Sequence, residues 1–172
     1  MDLTNKINIV GNNTAYKANT LINFTSQPRE TNAFWIAPTY AYHNGFTFEF
    51  TYKKHTEIPL DCLNKPTLPS YCFRDGFAVV LQGSGNKALG YGESGLGYES
   101  LMNVLSIEFD FIFNERKFDP KEGYHISIHK YKKRTATAEE TYSIAQCPFK
   151  TGVFTSYLFH INCKIIDGPF LA

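Results

Sequence analysis

A candidate ligand set of three carboxylates, one amide and one imidazole lies within the stretch LSIEFDFIFNERKFDPKEGYHISI, residues 105 to 128. Glu108 and Asp110 stand two apart inside an otherwise apolar run, Leu105 to Phe113. In a strand, side chains two apart leave the same face. A buried carboxylate is costly to keep charged, and two side by side repel each other. A divalent cation between them removes both problems. The loop that follows supplies Asn114, an amide oxygen, and Asp119, a carboxylate braced by Pro120; the next strand opens with His125. The backbone carbonyl of Ile112 can complete an oxygen shell. Hard Ca²⁺ takes about six to eight oxygen ligands, whereas the imidazole suits a transition metal such as Mn²⁺ or Zn²⁺. Two adjacent ions sharing Asp110 and Asp119 satisfy the whole set. The plainer alternative is a strand with its acidic face in solvent and His125 a surface residue.

The surrounding elements read as strands. In GFTFEFTY, Phe46, Phe48 and Phe50 alternate with Thr47, Glu49 and Thr51, the period-two pattern of a half-buried strand. TLINFT and AFWIA precede it, split by the turn-like SQPRETN, and Trp35 in AFWIA is expected in the core. FAVVLQ, residues 77 to 82, is apolar throughout and reads as a strand covered on both faces. Residues 105 to 113, HISIH (125 to 129), TYSIA and VFTSYLFHINCKII continue the series, with Gly, Pro, Asn and Asp between them. Helical periodicity is confined to single turns in GYESLMNV and TATAEETY. Many short strands separated by turn residues predict an all-β antiparallel sandwich or barrel. The 172 residues fit a single domain spanning residues 1–172. The last stretch, CKIIDGPFLA, still reads as strand and turn, so further strands are expected beyond it.

A formal net charge of +1 supplies no long-range field for nucleic acid, and no apolar run reaches the length of a membrane span. The basic cluster KYKKR, residues 130 to 134, is followed at once by TATAEE and reads as a solvated strand end. MDLTNKINIV lacks the pattern of a secretory leader. Four cysteines at an even count are compatible with disulfides Cys62–Cys72 and Cys147–Cys163 and with an oxidising compartment; four free thiols are the alternative. Asn12-Asn13-Thr14 and Asn23-Phe24-Thr25 are glycosylation sequons. The expected location is extracellular or secretory, with the cytoplasm as the alternative.

The pattern E-F-D-x-x-x-N-x-x-x-x-D-P-x-x-x-x-H-I-S-I resembles the metal-binding segment of the legume-type (L-type) lectins. Upstream, DGFAVVLQGSGNKALGYGESGLGY is similar to that family's Asp-Gly-x-Ala strand and following Gly-rich loop, in the form found in its bacterial and protist branches. The resemblance covers roughly residues 8 to 130. It implies a concanavalin-like antiparallel β-sandwich (jelly roll), here lacking its C-terminal strands. It implies that Glu108, Asp110, Asp119 and His125 hold Mn²⁺ or another transition metal. Asp110, the Ile112 carbonyl, Asn114 and Asp119 would then hold Ca²⁺. It further implies that Asp75 accepts hydrogen bonds from sugar hydroxyls, that the Asn114 NH₂ and the Gly95 N–H donate to the sugar, and that Phe113 or Phe118 stacks on it. The partners implied are glycans or glycoproteins, bound by several sites on a larger or multivalent protein because single sites of this kind are weak. His125 lies one residue beyond the commonest spacing, and NERKF places two basic residues beside the calcium position.

Two other classes make different demands on the sequence. Some glycoside hydrolases of this architecture use E-x-D-x-E or E-x-D-x-x-E, with two Glu flanking the scissile bond. Ile112 and Phe113 occupy the positions of the second acid, so the expectation is a binding protein and not an enzyme. The other alternative is a structural or adhesion module that keeps the fold without binding sugar. Gly90 to Gly95 matches G-x-G-x-x-G, but the strand before it and the helix after it that a dinucleotide site needs are both missing from the pattern.

Overall fold

On the strand that carries Glu108 and Asp110, alternate residues face two different environments, and the architecture follows from that division. The computed structural model describes residues 7–11, 16–18, 21–23, 30–36, 46–53, 75–121, 124–148 and 156–163. Ten strands are defined among them: β1 (Ile7–Gly11), β2 (Tyr16–Ala18), β3 (Leu21–Asn23), β4 (Asn32–Ile36), β5 (Phe46–Lys53), β6 (Gly76–Leu81), β7 (Met102–Asp110), β8 (His125–Thr135), β9 (Ser143–Pro148) and β10 (Ser156–Cys163). All pairings are antiparallel. The largest sheet has the order β6-β7-β8-β9, and the pairs β1-β4, β2-β3 and β5-β10 complete the set. The protein is therefore all-β, and its helical content among the described residues is limited to three short 3₁₀ turns.

One face of β7 carries Leu105, Ile107 and Phe109. Phe109 stacks on Phe77 of β6 at 4.5 Å between centroids, and Phe77 stacks on Tyr52 of β5 at 4.7 Å. This column of rings joins the β5–β10 pair to the four-stranded sheet; each such contact adds about 0.5–1.5 kcal/mol beyond the area it buries. The other face carries Val104, Ser106, Glu108 and Asp110, directly opposite Tyr131, His129, Ser127 and His125 of β8. At the Val104–Tyr131 end it is apolar, packed with Tyr98, Leu101, Ala136 and Ala138 and flanked by Trp35. Trp35, partly buried, donates its indole N–H to Ala88 O at 2.7 Å. Toward Asp110 the same face becomes polar without becoming exposed.

Several sequence-based boundaries shift. The strand expected over 105 to 113 runs instead from Met102 to Asp110. Phe111 N–H turns aside to donate to Asp75 O at 2.9 Å, and Ile112 N–H donates to Asp110 Oδ1 at 2.7 Å, so the backbone leaves the ladder there. The strand expected over HISIH extends to Thr135, because KYKKR continues to pair with β7 and sends its basic side chains outward. GYESLMNV forms no helix; Ser100 and Asn103 adopt positive φ and the chain enters β7 directly. The turn expected in TATAEETY is the 3₁₀ turn Glu140–Tyr142.

The Cys147–Cys163 disulfide is corrected. Cys147 is a free, exposed thiol. It lies on β9 at the edge of the four-stranded sheet, whereas Cys163 ends β10, which pairs with β5. Cys62 and Cys72 lie outside the described residues, as do the sequon at residues 12–14 and CLNKPTLPSYC.

Candidate metal centre

Three of the residues singled out from sequence meet at one end of the β7–β8 pair. Asp110 ends β7 and His125 opens β8 as its direct cross-strand partner. The intervening loop folds back through the 3₁₀ turn Glu115–Lys117, and Asp119 Oδ2 accepts Asn114 N–H at 2.5 Å. Phe118 takes the left-handed conformation that ends this turn. Ligand atoms of Asp110, Asp119 and His125 then lie within 4.8 Å of one another, and all three residues are buried. Asn114 stands at the rim; its Nδ2 is buried and has no hydrogen-bond partner.

Two supports hold this loop. Lys117 Nζ reaches both carboxylate oxygens of Glu99 at 2.8 Å, tying the loop to the glycine-rich segment that precedes β7. One of the two basic residues expected beside the calcium position is thereby turned toward another acid. On the other side Asp75 O takes the Phe111 N–H, and Gly76 follows with φ +150°. A Cβ at Gly76 would lie 2.1 Å from Phe109 O, so only glycine lets β6 approach β7 this closely beside Asp75.

Glu108 joins a second group one step further along the same face. Its Oε2 accepts the Tyr98 hydroxyl at 2.7 Å and lies 3.2 Å from His129 Nε2. His129 Nε2 is also 3.2 Å from Glu140 Oε1, on the 3₁₀ turn after β8. Glu140 is the junction of the row. Its Oε1 accepts the Ser127 hydroxyl at 2.8 Å and lies 3.1 Å from His125 Nε2, a close approach that is not a well-aligned hydrogen bond. Its Oε2 accepts Gln146 Nε2 at 2.6 Å. Glu108, His129 and Glu140 also lie within 4.8 Å of one another.

The electrostatics of the two groups differ. Burial pushes the Asp110 carboxyl up to about 8 despite the Ile112 N–H, with the neighbouring Glu108 and Asp119 charges adding to the rise. Burial likewise lifts Asp119 to about 6, against the Asn114 N–H and His125. For His129, burial alone would lower the value, but hydrogen bonds and charge from Glu108 and Glu140 outweigh it and raise it to about 9. Burial would raise Glu140, yet hydrogen bonds from His129, Ser127 and Gln146, together with the close His125 imidazole, hold it well below the usual carboxylate range. Burial and the Glu108 charge drive the Tyr98 hydroxyl far above its ordinary value, so it stays a neutral donor. Among the described residues, Glu108 pairs with His129, and Glu140 with His125 and His129. Four carboxylates against two imidazoles leave at least two negative charges uncompensated if all four ionise. A protein keeps such a set buried by protonating it or by placing cations in it.

Of the remaining predicted residues, Phe113 and Phe118 are exposed rings flanking Asn114 in sequence. Gly95 is buried, and its N–H donates to Gly92 O at 2.9 Å within the 3₁₀ turn Glu93–Gly95, which commits that N–H inside its own loop. Sequence reasoning left His129 without a partner and did not consider Glu140. The spacing His125, Ser127, His129 does place all three on one face of a strand; Glu140 comes from the next connection and carries no local signal. In comparisons with known proteins, no protein-family model matches the chain and no curated protein is significantly similar to it.

Proposed function

We propose that this chain is a calcium-dependent carbohydrate-binding domain with a concanavalin-like β-sandwich fold, as its resemblance to the legume-type lectins implies. The observation that supports it most directly is the convergence of Asp110, Asp119 and His125, from two strands and the loop between them, into one buried group. In this reading Ca²⁺ is held by Asp110, Asn114, Asp119 and the Ile112 carbonyl, and Mn²⁺ or a similar ion by Glu108, Asp110, Asp119 and His125. The cations fix the loop. Asn114 then offers its unpartnered Nδ2 to a sugar hydroxyl, Asp75 accepts from a second, and Phe113 lies against the ring face. Gly95 shapes the neighbouring loop without donating. A preorganised site matters because each hydrogen bond made in water is worth only about 0.5–1.5 kcal/mol net.

The test is a glycan array with and without chelator, on the wild type and on Asp75→Ala. Binding that disappears with chelator and with Asp75→Ala is expected. Glycan binding that survives chelation counts against the proposed site. Metal uptake without binding to any glycan favours the adhesion-module alternative, and turnover of an oligosaccharide would reopen the enzyme class.

A further inference from the structure

The polar row on β7 and β8 is longer than the ligand set just described. Its second part, Glu108, His129 and Glu140, is as buried as the first: Glu108 is 1% exposed, His129 0% and Glu140 6%. Glu108 Oε2, His129 Nε2 and Glu140 Oε1 form a chain with 3.2 Å between successive atoms. Bonds of about 2.0–2.1 Å to a tetrahedral ion place neighbouring ligand atoms about 3.3–3.4 Å apart; both separations from His129 Nε2 match this, and the two carboxylate oxygens lie within 4.8 Å of each other. The donor set of two carboxylates and one imidazole suits a borderline transition metal and not an oxygen-seeking one.

A second observation comes from Ser106. It is 0% exposed, stands directly opposite His129 across β7 and β8, and shares the face of Glu108. Its Oγ lies beside the Tyr98 hydroxyl without a well-formed hydrogen bond. A buried hydroxyl left in this condition normally has a use. Here it can orient a water in the open coordination position.

We propose that Glu108, His129 and Glu140 form a second cation site, selective for a borderline divalent transition metal such as Zn²⁺. Glu140 links it to the first group, because its Oε1 also lies 3.1 Å from His125 Nε2. Tyr98 and Ser127 are positioning residues: Tyr98 holds Glu108, and Ser127 holds Glu140. The inference shares Glu108 with the proposed lectin ligands and does not depend on sugar binding.

The test uses Co²⁺ as a visible probe on the full chain, with bound metal counted after dialysis and folding followed by far-UV circular dichroism. In Asp119→Asn, which breaks the first group, one Co²⁺ per chain is expected to remain bound, with a tetrahedral-type absorption band. His129→Gln is expected to bind one Co²⁺ fewer than wild type while keeping any calcium-dependent glycan binding. Loss of glycan binding in every form, with this Co²⁺ pattern intact, sinks the lectin reading and leaves the second site standing. Absence of Co²⁺ from folded Asp119→Asn overturns the second site, and so does equal uptake by His129→Gln and wild type. The three side chains are then an ion-pair network and nothing more. If His129→Gln does not fold, the Asp119→Asn measurement decides alone.

Discussion

The two buried groups on the β7–β8 face are neighbours built in opposite ways. In the first, backbone N–H groups of Ile112 and Asn114 hold Asp110 and Asp119, and burial still lifts both carboxyls. In the second, side chains compensate one another: Tyr98, Ser127, Gln146 and His129 surround Glu108 and Glu140, and Glu140 is held low while His129 is held high. In the first group the His125 charge offsets the burial of the carboxyls only in part; in the second, Glu108 and Glu140 hold His129 charged. A cation is therefore a completion of the first group and a replacement for a proton in the second.

The largest break in this comparison is Glu140→Ala. It removes the acceptor facing His125, His129, Ser127 and Gln146 at once. Breaking a buried ion pair from one side costs about 3–5 kcal/mol. Chemical denaturation in chelator is expected to show a loss of that order, whereas Asp119→Asn, which removes a repelling charge in the metal-free state, should be near neutral or stabilising. Equal losses for the two would erase the distinction between the groups.

Calcium gives the converse result. A ligand at about one hundred times its Kd stabilises the folded state by about 2.7 kcal/mol. That increment is expected in the wild type and in His129→Gln and should vanish in Asp119→Asn, read as the calcium-dependent shift in the denaturation midpoint.

Proton linkage separates the groups by sign. Asp110 has a folded value near 8, above the ordinary 3.8, so the folded state binds the extra proton. Its contribution becomes less favourable as pH rises from about 4 to about 8. His129 acts in the same sense: its stabilisation is complete below 6.5 and is lost as pH rises through about 9. Glu140 acts oppositely, stabilising above 4.5 and losing that contribution as pH falls toward its depressed value. Metal-free protein should thus lose stability between about pH 4 and 9, with a slope of up to about 1.4 kcal/mol per pH unit for each proton released. Asp110→Asn should flatten the lower half of that window and His129→Gln the upper half. A flat profile for the metal-free wild type would contradict the raised values of Asp110 and His129.

This division also explains what could be read in the sequence. Glu108, Asp110, Asn114, Asp119 and His125 lie on one continuous strand–loop–strand segment, so their spacing alone restricts where they can meet. The strand alternation at Phe46 to Thr51 and at 125 to 129 was legible for the same local reason. Glu140 was not, because it reaches the row only through the bulged β8–β9 connection, where the register shifts between Ile128 and His129. His129 was visible as a residue but not as a partner, since its carboxylates come from β7 and from beyond β8. The Cys147–Cys163 expectation failed similarly: nearness in sequence does not say which sheet each strand joins.

The smallest expected effect concerns the loop itself. Lys117 and Glu99 are 15% and 22% exposed at their side chains, so the pair is worth no more than about 1 kcal/mol of stability. Its position matters more than its strength. Lys117 follows Asn114 by one 3₁₀ turn, and its N–H donates to Asn114 O at 2.9 Å, so the ammonium anchors the segment that presents Asn114 and Asp119. Lys117→Met keeps the length of the side chain and removes the charge. The melting temperature of the metal-free variant is expected to move by only a few degrees, while calcium affinity, measured by isothermal titration, falls several-fold because the cation must now order the loop as well as bind it. Co²⁺ uptake at Glu108, His129 and Glu140 should not change, since none of the three touches that loop through a hydrogen bond or ion pair among the described residues. A variant that loses Co²⁺ at both groups equally would show that the loop and the interior row move as one unit, and the contrast between them would be one of chemistry alone.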